Sequence, residues 1–312
     1  MLDMKVVARE MVATDIVALT LQSADGNPLP KQEAGAHIDI HIRDGLVRQY
    51  SLTGKMADTY QIAVQKEPES RGGSVAMHKR FEVGSTMKIS PPRNHFPLDL
   101  SVGHSILFGG GIGMTPILAM AWELHQQGKS FECHLSARSQ DRLPFGESLS
   151  TLPFSDKVSI YLNDQSQKSV DVESVVRSAA SNSHIYVCGP VGYMEYVPNA
   201  ATAAGCSDEY IHMEHFGAEI DVEGDPFELV AEKSGFTIQV APDETILSAL
   251  KRKGITVPTS CENGVCGSCI VPVLDGKPCH RDLVQTDLEK ASGASIAVCC
   301  SRSKSRRLVL DV

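Results

Sequence analysis

Through the first hundred residues the chain alternates apolar and polar positions in short runs, as in Ile38-Asp39-Ile40-His41-Ile42 and Tyr60-Gln61-Ile62-Ala63-Val64. A period of two held over about four to eight residues marks a strand with one buried face. Turns bearing Gly, Pro and Asp separate the runs, and short strands punctuated in this way predict an antiparallel β-barrel over residues 1–100. From 101 to 222 the period changes. Ser105-Ile106-Leu107-Phe108 is a short apolar strand that enters Gly109-Gly110-Gly111-Ile112-Gly113, and a helical stretch follows from Ile117 to Gln127. Further strands at Glu132–Ala137, Val158–Leu162 and His184–Val187 predict an α/β doubly wound parallel sheet. Residues 217–228 are acidic, carry Gly and Pro and keep no period, as a linker does. Beyond them lies a small mixed domain, 223–312. Two strands, Glu228–Glu232 and Thr237–Val240, form a hairpin over Lys233-Ser234-Gly235. A helix over Ile246–Lys253 follows, with Gly254 where a C-terminal cap belongs, and strands at Cys269–Leu274 and Leu308–Val312 complete it. No internal repeat is visible.

Composition narrows the class. A chain of 312 residues implies two or three domains, and 42% hydrophobic with 21% charged residues describes a globular protein with real cores. A net charge of −9 argues against nucleic acid as a partner. No run approaches the about 18 apolar residues of a membrane span, and Met1-Leu2-Asp3 opens no signal peptide. Nine cysteines, four of them at ligand spacing, predict a reducing compartment, the cytoplasm, rather than a disulfide scaffold.

Those four carry the strongest chemical signal. Cys261, Cys266 and Cys269 stand at C-x4-C-x2-C in a glycine-bearing stretch, and Cys299 follows after 29 residues. This is the plant-type pattern of four thiolates holding a [2Fe–2S] cluster. Gly264 and Gly267 suit a loop that brings backbone N–H groups close to sulfur. The alternative is zinc, whose sites usually pair C-x2-4-C with a second such pair or with spaced histidines.

Other motifs are weaker singly. Arg48-Gln49-Tyr50-Ser51-Leu52 offers a cation, an aromatic face and a hydroxyl, and Arg71-Gly72-Gly73-Ser74 opens a short helix able to receive an anion. Each also reads as a surface arginine, a strand tyrosine or an ordinary turn. Gly109 to Pro116 has strand–turn–helix form, but Met114 fills the last glycine place of G-x-G-x-x-G. Cys188-Gly189-Pro190 ends a strand, where α/β sheets bind ligands, although a small core cysteine fits there equally. His280-Arg281-Asp282 matches a kinase triplet without the other kinase motifs, so a structural or interdomain role is expected.

Taken in order, these blocks resemble the phthalate dioxygenase reductase family, which includes the vanillate demethylase reductases, within the ferredoxin–NADP reductase superfamily. The resemblance spans essentially the whole chain. Arg48-Gln49-Tyr50-Ser51 is similar to the R-x-Y-S flavin motif and Arg71–Ser74 to the flavin-phosphate turn. Gly109–Pro116 is similar to G-G-x-G-x-T-P, Cys188–Pro190 to C-G-P, and Cys299-Cys300-Ser301-Arg302 to C-V-S-R. The last match and the interval favour Cys299 over Cys300 as the fourth ligand. The resemblance implies FMN and a plant-type ferredoxin (β-grasp) domain at the C-terminus. Arg48, Gly73 and Ser74 would hold the phosphate. Tyr50 and Ser51 would flank the ring, with Ala63, Val64 and Gln65 lining it and Phe216 packing nearby. Some relatives have a basic residue at the place of Gln65; here Lys66 is adjacent. Gly111, Thr115 and Pro190 would meet the dinucleotide, Cys188 would lie beside the nicotinamide, and Ser51, Thr115 and Cys188 are the catalytic candidates.

The implied chemistry is electron transfer. NADH gives two electrons as hydride and the cluster takes one, so a flavin between them resolves the mismatch and the protein's task is positioning. The implied partner is a Rieske-type terminal oxygenase acting on an aromatic or other small organic substrate. Lys304, Arg306 and Arg307 could steer it, or simply be a solvated rim. Arg138, after the second strand of the nucleotide domain, could read the 2′-phosphate of NADPH, whereas the family resemblance favours NADH. The competing readings are a stand-alone flavin/iron–sulfur oxidoreductase reducing a small acceptor, and a non-enzymatic ferredoxin-like carrier.

Overall fold

Alternation along the first strands is what closes the first sheet. In the computed structural model, which describes residues 1–54, 58–67, 72–164, 169–217 and 222–312, these strands are β1 (Leu2–Ala13), β2 (Ile16–Ser23), β3 (Ala36–Arg43), β4 (Leu46–Ser51) and β5 (Thr59–Gln65). Helix α1 (Gly73–Arg80), β6 (Thr86–Ile89) and β7 (Arg93–Asn94) follow. The strands pair antiparallel in the order β4-β3-β6-β1-β2-β5. A bridge between Leu52 and Ile62, with a 3.0 Å hydrogen bond from Thr53 N–H to the Gln61 carbonyl, joins the two ends into a barrel. Ile38, Ile40 and Ile42 on β3 meet Leu19, Leu21, Ile62 and Val64 in its core.

The second sheet has the period of buried parallel strands. It comprises β8 (His104–Gly110), β9 (Ser130–Ala137), β10 (Val158–Leu162), β11 (His184–Cys188) and β12 (Ile211–Glu214), all parallel in the order β10-β9-β8-β11-β12. Helices α2 (Met114–Gln126), α3 (Gly146–Leu149), α4 (Val172–Ser178) and α5 (Val191–Ala203) complete it. Leu107, Leu135 and Tyr186 pack with α2 residues such as Ile117 and Leu124, while Ile106, Phe108 and Val187 pack with Met194 and Val197 of α5. Both faces are therefore covered, as a doubly wound sheet requires. The chain runs outward from β8 through β9 to β10, then restarts on the other side at β11. That switch point, at the carboxyl ends of β8 and β11, is where open α/β sheets bind ligands. The two sheets together form one compact unit, Met1–Glu214, and His215–Val312 form a second.

The second unit holds β13 (Phe227–Ala231), β14 (Phe236–Val240), α6 (Ile246–Arg252), β15 (Ile270–Asp275), β16 (Pro278–Cys279), α7 (Asp287–Ser292), β17 (Ser295–Ala297), β18 (Arg302–Ser303) and β19 (Arg307–Leu310). Its main sheet has the order β14-β13-β19-β15-β17, with β13 and β19 parallel. Thr245 caps α6 by accepting from Ser248 N–H, and Gly254 follows the helix at φ 75°. Ile246, Leu247 and Leu250 of α6 pack on Leu229, Ile238 and Leu308, giving the helix-on-sheet core of a ferredoxin-type domain. The final strand was expected to run to Val312; it ends at Leu310, and its Arg307–Leu310 span lies centrally between β13 and β15. Of the expected linker, residues 218–221 lie outside the described residues. No helix among the described residues is long and apolar enough to cross a membrane.

Candidate functional site

Glycine-permitted turns shape the thiol loop of the second unit. Gly264 and Gly267 stand at φ 73° and 71°, and Glu262 at 55°. This path turns N–H groups toward sulfur: Asn263 donates to Cys261 Sγ at 3.3 Å and Gly264 to Cys299 Sγ at 3.2 Å. All four predicted ligands are buried. Their thiols meet in pairs, Cys261 with Cys266 and Cys269 with Cys299. Within the first pair, hydrogen bonding between the two sulfurs lowers the Cys266 thiol and raises Cys261. Two pairs of thiolates with N–H donors fit a cluster of two irons, two sulfurs to each. Cys300 Sγ turns toward the Ala297 carbonyl at 3.7 Å. The residue that follows His280-Arg281-Asp282 meets this loop. Leu283 N–H donates to the Gly264 carbonyl at 2.9 Å, and Asp282 Oδ2 accepts from Gln285 N–H at 2.8 Å.

In the first unit, the end of β4 meets the start of α1. Arg48 lies across that N-terminus so closely that a Cβ on Gly73 would sit 2.8 Å from its Cγ and 2.9 Å from its Nε. Gly72 enters the helix at φ 90°. Ser74 Oγ accepts from Glu67 N–H at 3.0 Å. A guanidinium beside a helix N-terminus is a corner that fits a phosphate. Arg71, expected in the same turn, lies outside the described residues. Tyr50 is half-buried, and burial pushes its phenol up. Ala63 and Val64 are buried on β5, and Gln65 ends the strand, half-buried.

At the switch point the glycine turn fits against the end of β11. A Cβ on Gly113 would lie 2.5 Å from the Cys188 carbonyl carbon and oxygen, and one on Gly110 would lie 3.1 Å from Pro190 Cδ. Gly111 adopts φ 53°, and the buried Thr115 hydroxyl donates to the Ile112 carbonyl at 3.0 Å. Met114 starts α2 fully buried in the core, so this turn needs a large apolar anchor where the dinucleotide fingerprint has glycine. Arg138 is exposed just past β9.

One residue here went unread in the sequence. Glu214, last in β12, is the register neighbour of Cys188 on β11, and the Ser51 hydroxyl donates to its Oε2 at 3.4 Å. Burial raises its carboxyl to about 8, partly offset by Ser51, so it keeps its proton at neutral pH. Burial, and then the nearby Glu214, holds the Cys188 thiol well above its ordinary range. The barrel and the nucleotide sheet thus bring Ser51, Cys188 and Glu214 together. Phe216 belongs to the second unit, where it is exposed.

Comparison with known proteins agrees with this division. The model of a 2Fe-2S iron-sulfur cluster binding domain matches residues 229–304. Over the full length of both chains, the protein is 44% identical to a vanillate O-demethylase oxidoreductase of Pseudomonas sp. (strain HR199 / DSM 7063). The solved phthalate dioxygenase reductase, described as a modular structure for electron transfer from pyridine nucleotides to [2Fe-2S], superposes with a TM-score of 0.78 at 35% identity. That match covers 100% of this chain and 98% of that one. All of this chain also matches 41% of an intact type IV self-sufficient cytochrome P450 monooxygenase, with a TM-score of 0.85 and 37% identity. The chain therefore belongs to the family of the vanillate O-demethylase oxidoreductases and phthalate dioxygenase reductase, and is an electron-transfer oxidoreductase with a C-terminal 2Fe-2S cluster binding domain.

Proposed function

We propose that the chain is the reductase component of a Rieske-type non-haem iron oxygenase system, passing electrons from NADH through FMN and a [2Fe–2S] cluster to the oxygenase. The observation that carries this is the pairing, in one chain, of a four-thiol loop with a switch point lined by Ser51, Cys188 and Glu214. The division we assign is 1–100 for FMN, 101–222 for the nucleotide and 223–312 for the cluster. Bound between donor and cluster, a flavin accepts hydride and releases electrons singly.

The chain's own residues position and enclose. Arg48, Gly73 and Ser74 would hold the phosphate, and Tyr50, Ser51, Ala63, Val64 and Gln65 would border the ring. Gly111, Thr115 and Pro190 receive the dinucleotide, with Cys188 beside the nicotinamide. The Glu214 carboxyl keeps a proton through neutral pH while its Oε2 accepts from the Ser51 hydroxyl, so burying this corner adds no fixed negative charge. A plant-type cluster works near about −400 mV, low enough to reduce a second iron centre.

The test is NADH-driven bleaching of a purified Rieske protein. We expect it with the wild-type chain and not with Cys269→Ser, while that variant still reduces ferricyanide. Reduction of a cytochrome P450 and no Rieske protein would move the acceptor to haem. Equal Rieske reduction by Cys269→Ser would remove the cluster from the route.

A further inference from the structure

Residues 222–225 lead into β13 outside any helix or strand, so their carbonyls need donors from elsewhere. Two arginines supply them. Arg302, only 2% exposed, lies three residues beyond Cys299. Its Nη1 donates to the carbonyl of Val222 at 2.8 Å and of Glu244 at 2.6 Å. Its Nη2 donates to Asp225 and Ala241 at 3.0 Å and to Gly224 at 3.4 Å, and the guanidinium stands 5.4 Å from the Phe227 ring centroid. Arg281 Nη2 takes the remaining carbonyl, that of Glu223, at 2.7 Å. Four successive carbonyls are thus held by two guanidinium forks. Gly224 sits between them: a Cβ there would lie 2.9 Å from Arg302 Nε and 3.6 Å from Arg281 Nη2.

The other side of this clamp is the cluster loop. Arg281 N–H donates to Ser301 Oγ at 3.1 Å, Ser301 and Arg302 continue directly from Cys299 and Cys300, and Leu283 N–H holds the carbonyl of Gly264, whose own N–H reaches Cys299 Sγ. Water would solvate exposed carbonyls without the desolvation of a buried arginine. The arrangement therefore points to a demand for fixed position.

We propose that Arg281 and Arg302 are positioning residues that clamp residues 222–225 to the turn bearing Cys299, and that the rate of electron delivery into the cluster depends on this clamp. The inference rests on the electron route proposed above. Releasing the clamp frees residues 222–225 from the guanidinium groups and lets the turn that bears Cys299 shift. A displaced ligand turn slows cluster reduction by about twofold or more.

The experiment uses Gly224→Ala and Arg281→Ala in the full holoprotein, mixed anaerobically with NADH in a stopped-flow spectrometer. Cleavage after Glu223 by a glutamate-specific protease is followed in parallel. We expect an unchanged flavin phase, cluster reduction slowed about twofold or more, an unchanged oxidised cluster spectrum, and faster cleavage. Faster cleavage with wild-type cluster reduction would reduce the clamp to a structural brace and overturn the proposal, as would wild-type behaviour in both readouts. A wild-type cluster that NADH does not reduce would instead overturn the electron route, and unchanged cleavage in that case would overturn the clamp as well.

Discussion

Replacing Glu214 by Gln tests the switch-point geometry without touching a ligand or a glycine turn. In the folded chain its carboxyl titrates at about 8 against an ordinary 4.5, because burial disfavours the anion more than the Ser51 hydroxyl helps it. Between these two values the folded state holds a proton that the unfolded state has released. The stability tied to that proton is complete below about 4.5 and is lost as the pH rises to about 8. The interval corresponds to about 5 kcal/mol, or about 1.4 kcal/mol per pH unit. Gln cannot ionise, so Glu214→Gln lacks this slope. The single tryptophan, Trp122, lies on α2 in the same compact unit as Glu214. Its emission during urea unfolding at pH 5, 6, 7, 8 and 9 reports the relevant transition. The unfolding free energy of the variant should gain on that of the wild type by about 1.4 kcal/mol per unit between pH 5 and 8, then stop gaining. Parallel profiles would refute the reasoning, because they would mean Glu214 titrates like an exposed carboxylate.

The other sites give equally direct outcomes. Cys299→Ser should abolish the visible absorbance of the cluster while the flavin stays bound, whereas Cys300→Ser should keep it; the reverse pattern would assign the fourth ligand to Cys300. Gly113→Ala places a methyl 2.5 Å from the Cys188 backbone carbonyl, which cannot rotate away. We expect a cost of about 1–3 kcal/mol and a raised KM for NADH with an unchanged cluster spectrum, and an unaltered KM would contradict the packing. Arg138→Ala should leave the KM for NADH unchanged and any NADPH activity diminished; an increase in the KM for NADH would show that Arg138 serves the common part of the nucleotide.

What the sequence disclosed depended on how local the signal was. The thiol loop was legible because Cys261, Cys266 and Cys269 sit within nine residues, and the glycines between them permit the φ values that aim N–H groups at sulfur. The principal strands were legible because their period matches one or two buried faces. Arg48 and Gly73 are 25 residues apart, and only the barrel register sets one against the other, so as separate pieces they had bland readings. Glu214 was invisible for a related reason. Ile211-His212-Met213-Glu214 shows no periodic or motif signal, and its carboxyl matters only because β12 pairs with β11 and the barrel presents Ser51. The arginines fared similarly. Arg302 was noticed as part of C-V-S-R, but a buried guanidinium collecting the carbonyls of Val222, Gly224, Asp225, Ala241 and Glu244 is long-range information. The triplet at 280–282, for which a structural or interdomain role is expected, reaches Ser301 through the Arg281 N–H, a contact that joins distant positions of the chain.

The most direct measurement of the central claim is an anaerobic titration of the purified protein with NADH, followed across the visible spectrum. The account predicts loss of the flavin band together with the broader cluster absorbance, with the cluster reduced through the flavin. Flavin bleaching beside an unchanged cluster, or no response to NADH, would contradict it.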